Sequence, residues 1–118
     1  MLIRSQDKES LIAIDGNFVE ILKYGDLSEC SITVSTRDHS SLHVMARYSS
    51  VEKALKVLDM IQEAYEEYKI TCTFLTGFTG HRAIVESNDI QVNGFKELVK
   101  SFKKNMVFQM PADSEVEV

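Results

Sequence analysis

Apolar and polar residues alternate over much of the first 48 residues, a pattern typical of half-buried β-strands. Between two of the alternating runs Gly16 follows Asp15, and the positive φ that this step tolerates predicts a tight hairpin. The predicted strands form an antiparallel meander of three or four strands. They cover residues 11–14, 18–24, 30–36 and 42–48.

The last two of these strands have clearly different faces. In the strand at 30–36, apolar residues alternate with serines and threonines, so one face should be apolar and the other should carry hydroxyl groups. The strand at 42–48 is expected to return with its apolar residues on one face. These residues are Leu42, Val44 and Ala46.

After Ser49 the spacing of apolar residues changes from the alternation of a strand to the period of a helix. The pattern predicts a helix over residues 51–68. Ser49 and Glu52 have the spacing of a capping box, in which a hydroxyl and a carboxylate satisfy the first backbone amides of a helix. The main apolar stripe should face the sheet, with Leu58 fully buried. This stripe contains Val51, Ala54, Leu55, Leu58, Ile61, Tyr65 and Tyr68.

A second apolar line lies on a neighbouring face of the same helix and contains Val57, Met60 and Ala64. A helix that packs on one sheet needs a single stripe, so the second line predicts additional cover. That cover is either another helix of the chain or a second subunit. In the second case these three residues form the interface of a homo-oligomer.

The region after the helix predicts shorter elements. Branched and aromatic residues at 70–75 indicate a strand, and residues 83–85 could return as another. Asn93 is placed to cap a second helix at 94–104, whose lysines lie opposite its apolar face.

The C-terminal end completes the predicted fold. Residues 107–110 could add a short edge strand before Pro111 ends it, and the acidic tail at 113–118 is expected to fray. The predicted fold class is therefore α+β, with an N-terminal antiparallel sheet packed by two helices. We expect a single domain over residues 1–118.

Net charge, cysteine count and the length of apolar runs limit what the chain is expected to bind and where it is expected to act. The 118 residues carry a net charge of -5, so the chain should repel phosphate backbones and not bind nucleic acid non-specifically. Cys30 and Cys72 are far apart in sequence and are expected to be small buried residues with reduced thiols. No signal peptide and no apolar run of membrane-spanning length is visible, which predicts a cytoplasmic protein.

The sequence contains no pattern that indicates catalysis. His39 and His43 are four residues apart but flank a predicted turn, so they lack the geometry of metal ligands on a helix. Gly77 and Gly80 lack the Lys-Ser/Thr step of a phosphate-binding loop. We therefore expect a protein that is not an enzyme and needs no metal or other cofactor.

The remaining candidate chemistry is the binding of a small ligand. Arginine pairs with phosphate oxygens and aromatic rings stack on bases, so a nucleotide is the expected ligand class. The alternative is structural, with Arg47 in a surface ion pair and Phe78 packed on its own sheet. The candidate ligand-binding residues are Arg47, Tyr48, Phe78, His81 and Arg82.

Three stretches of the chain carry a resemblance to a known family. They read MLIRSQDK at the start, EKALKVLDMIQEAYEEY in the helix and VFQMPAD near the end. In these stretches the chain resembles a family of small proteins of Gram-positive bacteria, their phages and their mobile elements. The resemblance implies a phage or mobile-element setting and no particular reaction.

Two functional hypotheses follow. The first is a non-enzymatic accessory protein that counters host defence by sequestering a nucleotide immune signal between the subunits of a homo-oligomer. The second is an inhibitor that binds a host nuclease or another defence protein. Its acidic surface would contain Glu63, Glu66, Glu67 and the tail.

Overall fold

The computed structural model describes residues 1–25, 28–38, 40–76, 100 and 103–118, with the backbone alone at 74–76. The fold of this part is α+β, as predicted: antiparallel strands are packed by one long helix. In chain order the elements are β1 (Leu2–Arg4), β2 (Leu11–Ala13), β3 (Phe18–Lys23), β4 (Cys30–Ser35), β5 (Leu42–Tyr48), α1 (Val51–Thr76), β6 (Val107–Gln109) and a 3-10 turn (Asp113–Glu115).

The described strands form two separate three-stranded sheets. The meander sheet has the order β3-β4-β5 and is antiparallel throughout, which confirms the predicted meander for these three strands. The terminal sheet has the order β2-β1-β6, and in it Ile3 pairs with Ile12 on one side and with Phe108 on the other. β6 lies at the edge of this sheet, and the C-terminal pattern predicted an edge strand here; its parallel pairing with β1 was not predicted.

The turn at Gly16 does not close a hairpin. Gly16 has the expected positive φ of 78°, but β2 pairs with β1 and β3 pairs with β4. β2 is joined to the first strand instead, and this pairing continues to the Ile14 amide, which donates to the Met1 carbonyl at 3.0 Å. The turn therefore carries the chain from the terminal sheet to the meander sheet, and the hairpin prediction was wrong.

A β-bulge changes the face of β5. Met45 is the extra residue, because Val44 pairs with Thr33 and Ala46 pairs with Ile32. Thr33 lies on the hydroxyl face of β4 and Ile32 on its apolar face. Leu42 and Val44 thus lie on the hydroxyl face and are 53% and 42% exposed, while Ala46 is buried. The prediction that these three residues share one face was wrong, because a single inserted residue inverts the alternation.

The core lies between α1, the apolar face of β4 and the inner face of the terminal sheet. Both ends of the chain contribute to it, since Met1 and Val116 are buried. The buried apolar residues are Met1, Ile3, Cys30, Ile32, Val34, Met45, Ala46, Tyr48, Ala54, Val57, Ile61, Met110 and Val116.

α1 is longer than predicted and ends at Thr76. The predicted strand at 70–75 was wrong, because these residues continue the helix. Branched residues cost only a few tenths of a kcal/mol each in a helix, and the Thr71 hydroxyl donates to the Glu67 carbonyl one turn earlier at 2.9 Å. Cys72 extends the half-buried side of the helix by one more turn.

The buried face of α1 is rotated from the predicted stripe. Ala54, Val57 and Ile61 are fully buried, at the spacing of a single apolar face. Leu58 is only half-buried, and Leu55 is 49% exposed. The prediction that Leu58 is fully buried was therefore wrong.

The start of α1 is capped by Ser50 and not by Ser49. The Lys53 amide donates to the Ser50 hydroxyl at 3.2 Å. Ser49 points elsewhere: its backbone N–H and its hydroxyl donate to one carboxylate oxygen of Asp113, at 2.8 and 3.1 Å. The predicted capping box of Ser49 and Glu52 is therefore absent.

The acidic tail is docked and not frayed. Val116 is 5% exposed and belongs to the core. Lys53 Nζ donates to the main-chain oxygen of Asp113 at 2.9 Å, and Lys56 Nζ donates to that of Glu117. The buried Val116 side chain and two lysines of α1 thus hold the tail in place, although its charge alone had predicted that it would fray.

Several predictions fall on parts of the chain that are not described. The strand at 83–85, Asn93 and most of the helix at 94–104 lie outside the described residues. Lys100 and residues 103–105 are helical, at the end of that predicted helix. The helices in the described ranges include none that is long and apolar enough to cross a bilayer.

Candidate binding surfaces

Gln6 belongs to the opening stretch MLIRSQDK, which we call the N-terminal signature, and it closes the edge of the meander sheet. Its backbone amide donates to the Met45 carbonyl at 2.8 Å. Its side chain accepts from the Arg47 amide at 3.1 Å and donates to the Arg47 carbonyl at 3.3 Å. The same side-chain nitrogen donates to the Pro111 carbonyl at 3.0 Å. Gln6 therefore takes the place of a neighbouring strand beside the bulge.

The rest of the N-terminal signature builds a tight loop between β1 and β2. Ser5 is buried, and its hydroxyl donates to the Asp7 carboxylate and accepts from the Ser10 amide at 2.9 Å. The Glu9 amide also donates to Asp7, at 3.0 Å. The hydrogen bond from Ser5, followed by that from Glu9, lowers the pKa of Asp7. Lys8 completes the loop with a positive φ of 67°.

The stretch VFQMPAD, which we call the C-terminal signature, packs directly against the N-terminal one. The Gln109 side chain donates to the Ser5 and Met110 carbonyls, both at 3.0 Å. The Tyr48 hydroxyl donates to the Pro111 carbonyl at 2.8 Å, and burial raises the pKa of this phenol. Both signatures thus have a structural role, which joins the terminal sheet to the meander sheet.

Of the predicted ligand-binding residues, the described part of the chain contains two. Arg47 is exposed, and no hydrogen bond or ion pair from a described residue engages its guanidinium group. Tyr48 is 2% exposed, so its ring is not available to stack on a base. Because they are neighbours in one strand, the two side chains point to opposite faces. Phe78, His81 and Arg82 lie outside the described residues.

Arg47 lines a shallow depression of about 310 Å³ beside the bulge, together with Gln6, Asp7 and residues 44–46. The depression carries one cationic and one anionic side chain. A phosphate that pairs with Arg47 would also face the carboxylate of Asp7, whose lowered pKa keeps it charged. The depression is therefore a poor site for a highly charged nucleotide.

The predicted oligomer interface is not one exposed surface. Val57 is fully buried inside the chain, and Ala64 is half-buried against the same core. Of the three, Met60 alone is exposed, at 38%. For Val57 and Ala64 the cover comes from within the chain, which is the alternative that the sequence left open.

The exposed side of α1 has an uneven distribution of charge. The helix contains five carboxylates and three lysines. Lys53 and Lys56 reach the docked tail, and Lys69 reaches Asp15 at 3.8 Å. All three lysines therefore bend toward the body of the protein.

The carboxylates of α1 have no such partners. Each is exposed, and none forms an ion pair with another described residue. Leu55 and Ile70, which are 49% and 71% exposed, lie among them. We call this surface the acidic face of α1, and it comprises Glu52, Asp59, Glu63, Glu66 and Glu67.

Asp15 contacts three charged or polar groups, whereas the sequence indicated only that it lies in a turn. It accepts from the Tyr65 hydroxyl at 2.7 Å and from the Met1 ammonium group at 3.3 Å. These contacts, with Tyr65 first, lower the pKa of Asp15. Lys69 approaches the same carboxylate and lies 5.5 Å from the Tyr65 ring centroid. Asp15 thereby anchors the middle of α1 to the terminal sheet.

The outer face of the meander sheet is the second exposed surface. It lies opposite α1 and has a central row of buried hydroxyl residues, Ser31, Thr33 and Ser35. Large apolar and aromatic side chains from β3, from the position just after β3 and from β5 border this row and are between 37% and 53% exposed. They are Phe18, Leu22, Tyr24, Leu42 and Val44.

Reactive side chains do not cluster in the described ranges. No group of three or more His, Cys, Asp or Glu side chains there could hold a metal ion. The exposed ring of His43 is hydrogen-bonded to Ser41 at 2.9 Å, and His39 is not described. Cys30 is buried and Cys72 is half-buried, no disulfide joins either to a described residue, and burial raises the pKa of Cys30.

Comparison of the chain with family models, with curated proteins and with solved structures finds no match.

Proposed function

We propose that the protein is a non-enzymatic binding protein that uses the acidic face of α1 to dock on a basic surface of a partner protein. The observation that carries this proposal is the separation of charge on α1. Its lysines contact acceptors of its own fold, whereas its carboxylates point outward without counter-ions among the described residues.

Helix stability alone does not explain this arrangement. Asp59, Glu63 and Glu67 follow one another at four-residue spacing, and Glu66 is three residues from Glu63. Like charges at these spacings cost about 0.2–0.5 kcal/mol per pair. Leu55 and Ile70 add exposed apolar area to the same surface, where solvent exposure gives no benefit. Both costs are relieved when a partner with basic and apolar groups covers the face.

The dimensions of the face suit a protein partner. Glu52 and Glu67 are fifteen helical positions apart, which corresponds to about 22 Å along the axis. An acidic surface of this length steers a basic protein toward it and repels nucleic acid. A nuclease is one class of protein with such a basic surface, which agrees with the inhibitor hypothesis and the phage or mobile-element setting. We place this activity in the cytoplasm, where cysteines outside disulfides stay reduced.

Nucleotide sequestration is the second candidate, and it is favoured by the exposed guanidinium group of Arg47, which pairs with no other residue that the structure describes. It ranks lower because Tyr48 is buried and Asp7 lines the same depression. A calorimetric titration with cyclic dinucleotides and linear nucleotides tests it. Binding that Arg47→Ala abolishes would support this candidate, and no heat across the panel would remove it.

A comparative capture experiment tests the main proposal. The wild-type chain is immobilised beside Glu63→Lys/Glu66→Lys and a control, Glu9→Lys/Glu29→Lys, which has the same net charge but leaves the face intact. All four positions are exposed, so each variant should keep its fold. We expect a protein from host lysate to bind the wild type and the control, elute with salt and be absent from the face variant. Equal capture by all three would contradict the proposal.

A further inference from the structure

The outer face of the meander sheet carries one acid and one base on opposite strands. Glu20 of β3 pairs across the sheet with Thr33, and Arg47 of β5 pairs with Ser31, so both side chains belong to this face. Both are exposed, and neither forms an ion pair with any other residue in the described part of the chain. The face therefore has no net charge but a fixed polarity from β3 to β5.

The central row of this face is flat and almost closed to water. The Ser31 hydroxyl donates to the Tyr24 hydroxyl at 3.0 Å, and the Thr33 hydroxyl donates to the Glu20 carbonyl at 3.4 Å. Ser35 is 2% exposed, and its hydroxyl has no hydrogen-bond partner among the described residues. A buried hydroxyl without a partner lowers the stability of the fold.

We propose that the outer face binds a second copy of this chain, as a twofold dimer. When two sheets pack face to face they lie about 10 Å apart with their strands roughly aligned. A twofold axis parallel to β4 then places β3 of one copy over β5 of the other. Glu20 of each copy comes within reach of Arg47 of the second copy, so the ion pair forms twice. The apolar side chains of the edge strands cover one another in the same arrangement.

The polarity of the face selects this occupant. A surface with one acid and one base on opposite strands is complementary to itself under a twofold rotation. The acidic face of α1 stays free in such a dimer, because α1 packs on the other side of the meander sheet. The inference therefore does not depend on the proposed function, and either can fail alone.

The size of the face limits the strength of the dimer. Three strands about 4.8 Å apart and six residues long span about 14 by 20 Å, or about 300 Å² in projection. Stable dimers bury about 800 Å² on each partner. The dimer should therefore be weak and form only as the protein concentration rises.

Sedimentation velocity over a concentration series of the full chain tests the inference. We expect the wild type to shift from monomer to dimer with concentration. Glu20→Arg or Arg47→Glu alone should weaken association about tenfold, because each reversal replaces two attractions with two repulsions. The double variant Glu20→Arg/Arg47→Glu should restore it, because the ion pair forms again with its charges exchanged.

Three results would overturn the inference. The wild type could remain monomeric at every concentration, the double variant could stay as weak as the single ones, or the single variants could associate as the wild type does. Glu63→Arg on α1 is the matched control and should leave association unchanged. Equal unfolding midpoints in urea show that each variant is folded, so a loss of the dimer reports the face and not the stability of the chain.

Discussion

Replacing Gln6 tests how far the two signatures stabilise the fold. Gln6→Ala removes three side-chain hydrogen bonds, two with the Arg47 backbone and one with the Pro111 carbonyl, at 3.0 to 3.3 Å. A hydrogen bond of this kind contributes about 0.5–1.5 kcal/mol net. Gln6 is half-buried, so water can replace part of what is lost. We expect the free energy of unfolding to fall by about 1–3 kcal/mol.

Urea unfolding, followed by circular dichroism and extrapolated linearly, measures this loss. Gln62→Ala is the matched control, because its amide makes a single exposed contact with Glu66 at 3.3 Å. The control should change stability by less than about 0.5 kcal/mol. If Gln6→Ala costs no more than the control, the signature has another role and the structural account of Gln6 fails.

Two further predictions concern the helix and the tail. Ile61→Ala should lower the free energy of unfolding by about 2–5 kcal/mol because the side chain is fully buried, whereas Leu55→Ala should lower it by less than about 0.5 kcal/mol. Similar urea midpoints for the two variants would show that the buried face of α1 is misassigned. The hydrogen bond from the Ser49 amide lowers the pKa of the Asp113 carboxyl group. This contact should therefore stabilise tail docking at a pH above the ordinary pKa of aspartate. The stabilisation should be lost as the pH falls through the lowered pKa of the folded state. The methyl resonances of Val116 should then move toward random-coil positions in acid, a pH response that Asp113→Asn should remove; unchanged resonances at pH 2 would refute it.

The sequence predicted those elements whose signal is local. Alternation in β3, β4 and β5 and the apolar period of α1 depend on neighbouring residues, and the structure contains all four elements. β6 was predictable as well, because Pro111 marks its end. These features predict the fold class.

The bulge at Met45 was not predictable, because nothing in β5 alone shows which of its residues lacks a partner in β4. The consequence is large, since it moves Leu42 and Val44 to the outer face. The end of α1 was missed for a different reason. Ile70 and Thr71 favour a strand in isolation, but a helix that has already formed extends with one hydrogen bond per added residue.

The binding surfaces depend on contacts that are distant in sequence. Lys53 and Lys56 look like partners for the nearby glutamates of α1, yet they contact a tail sixty residues away. Only the folded chain shows that the carboxylates are left without counter-ions from the described residues. Glu63 and Glu66 were named as part of an acidic surface, but the removal of the lysines from that surface could not be predicted.

The most direct test of the acidic face is the affinity of the captured partner at two salt concentrations. Isothermal titration would compare the purified wild type with Glu63→Lys/Glu66→Lys and with Glu9→Lys/Glu29→Lys. We expect added salt to weaken binding of the wild type, and the face variant to bind at least about tenfold more weakly than the control at low salt. Equal affinity of the two variants, or binding that does not respond to salt, would contradict the proposal that the acidic face of α1 is the docking surface.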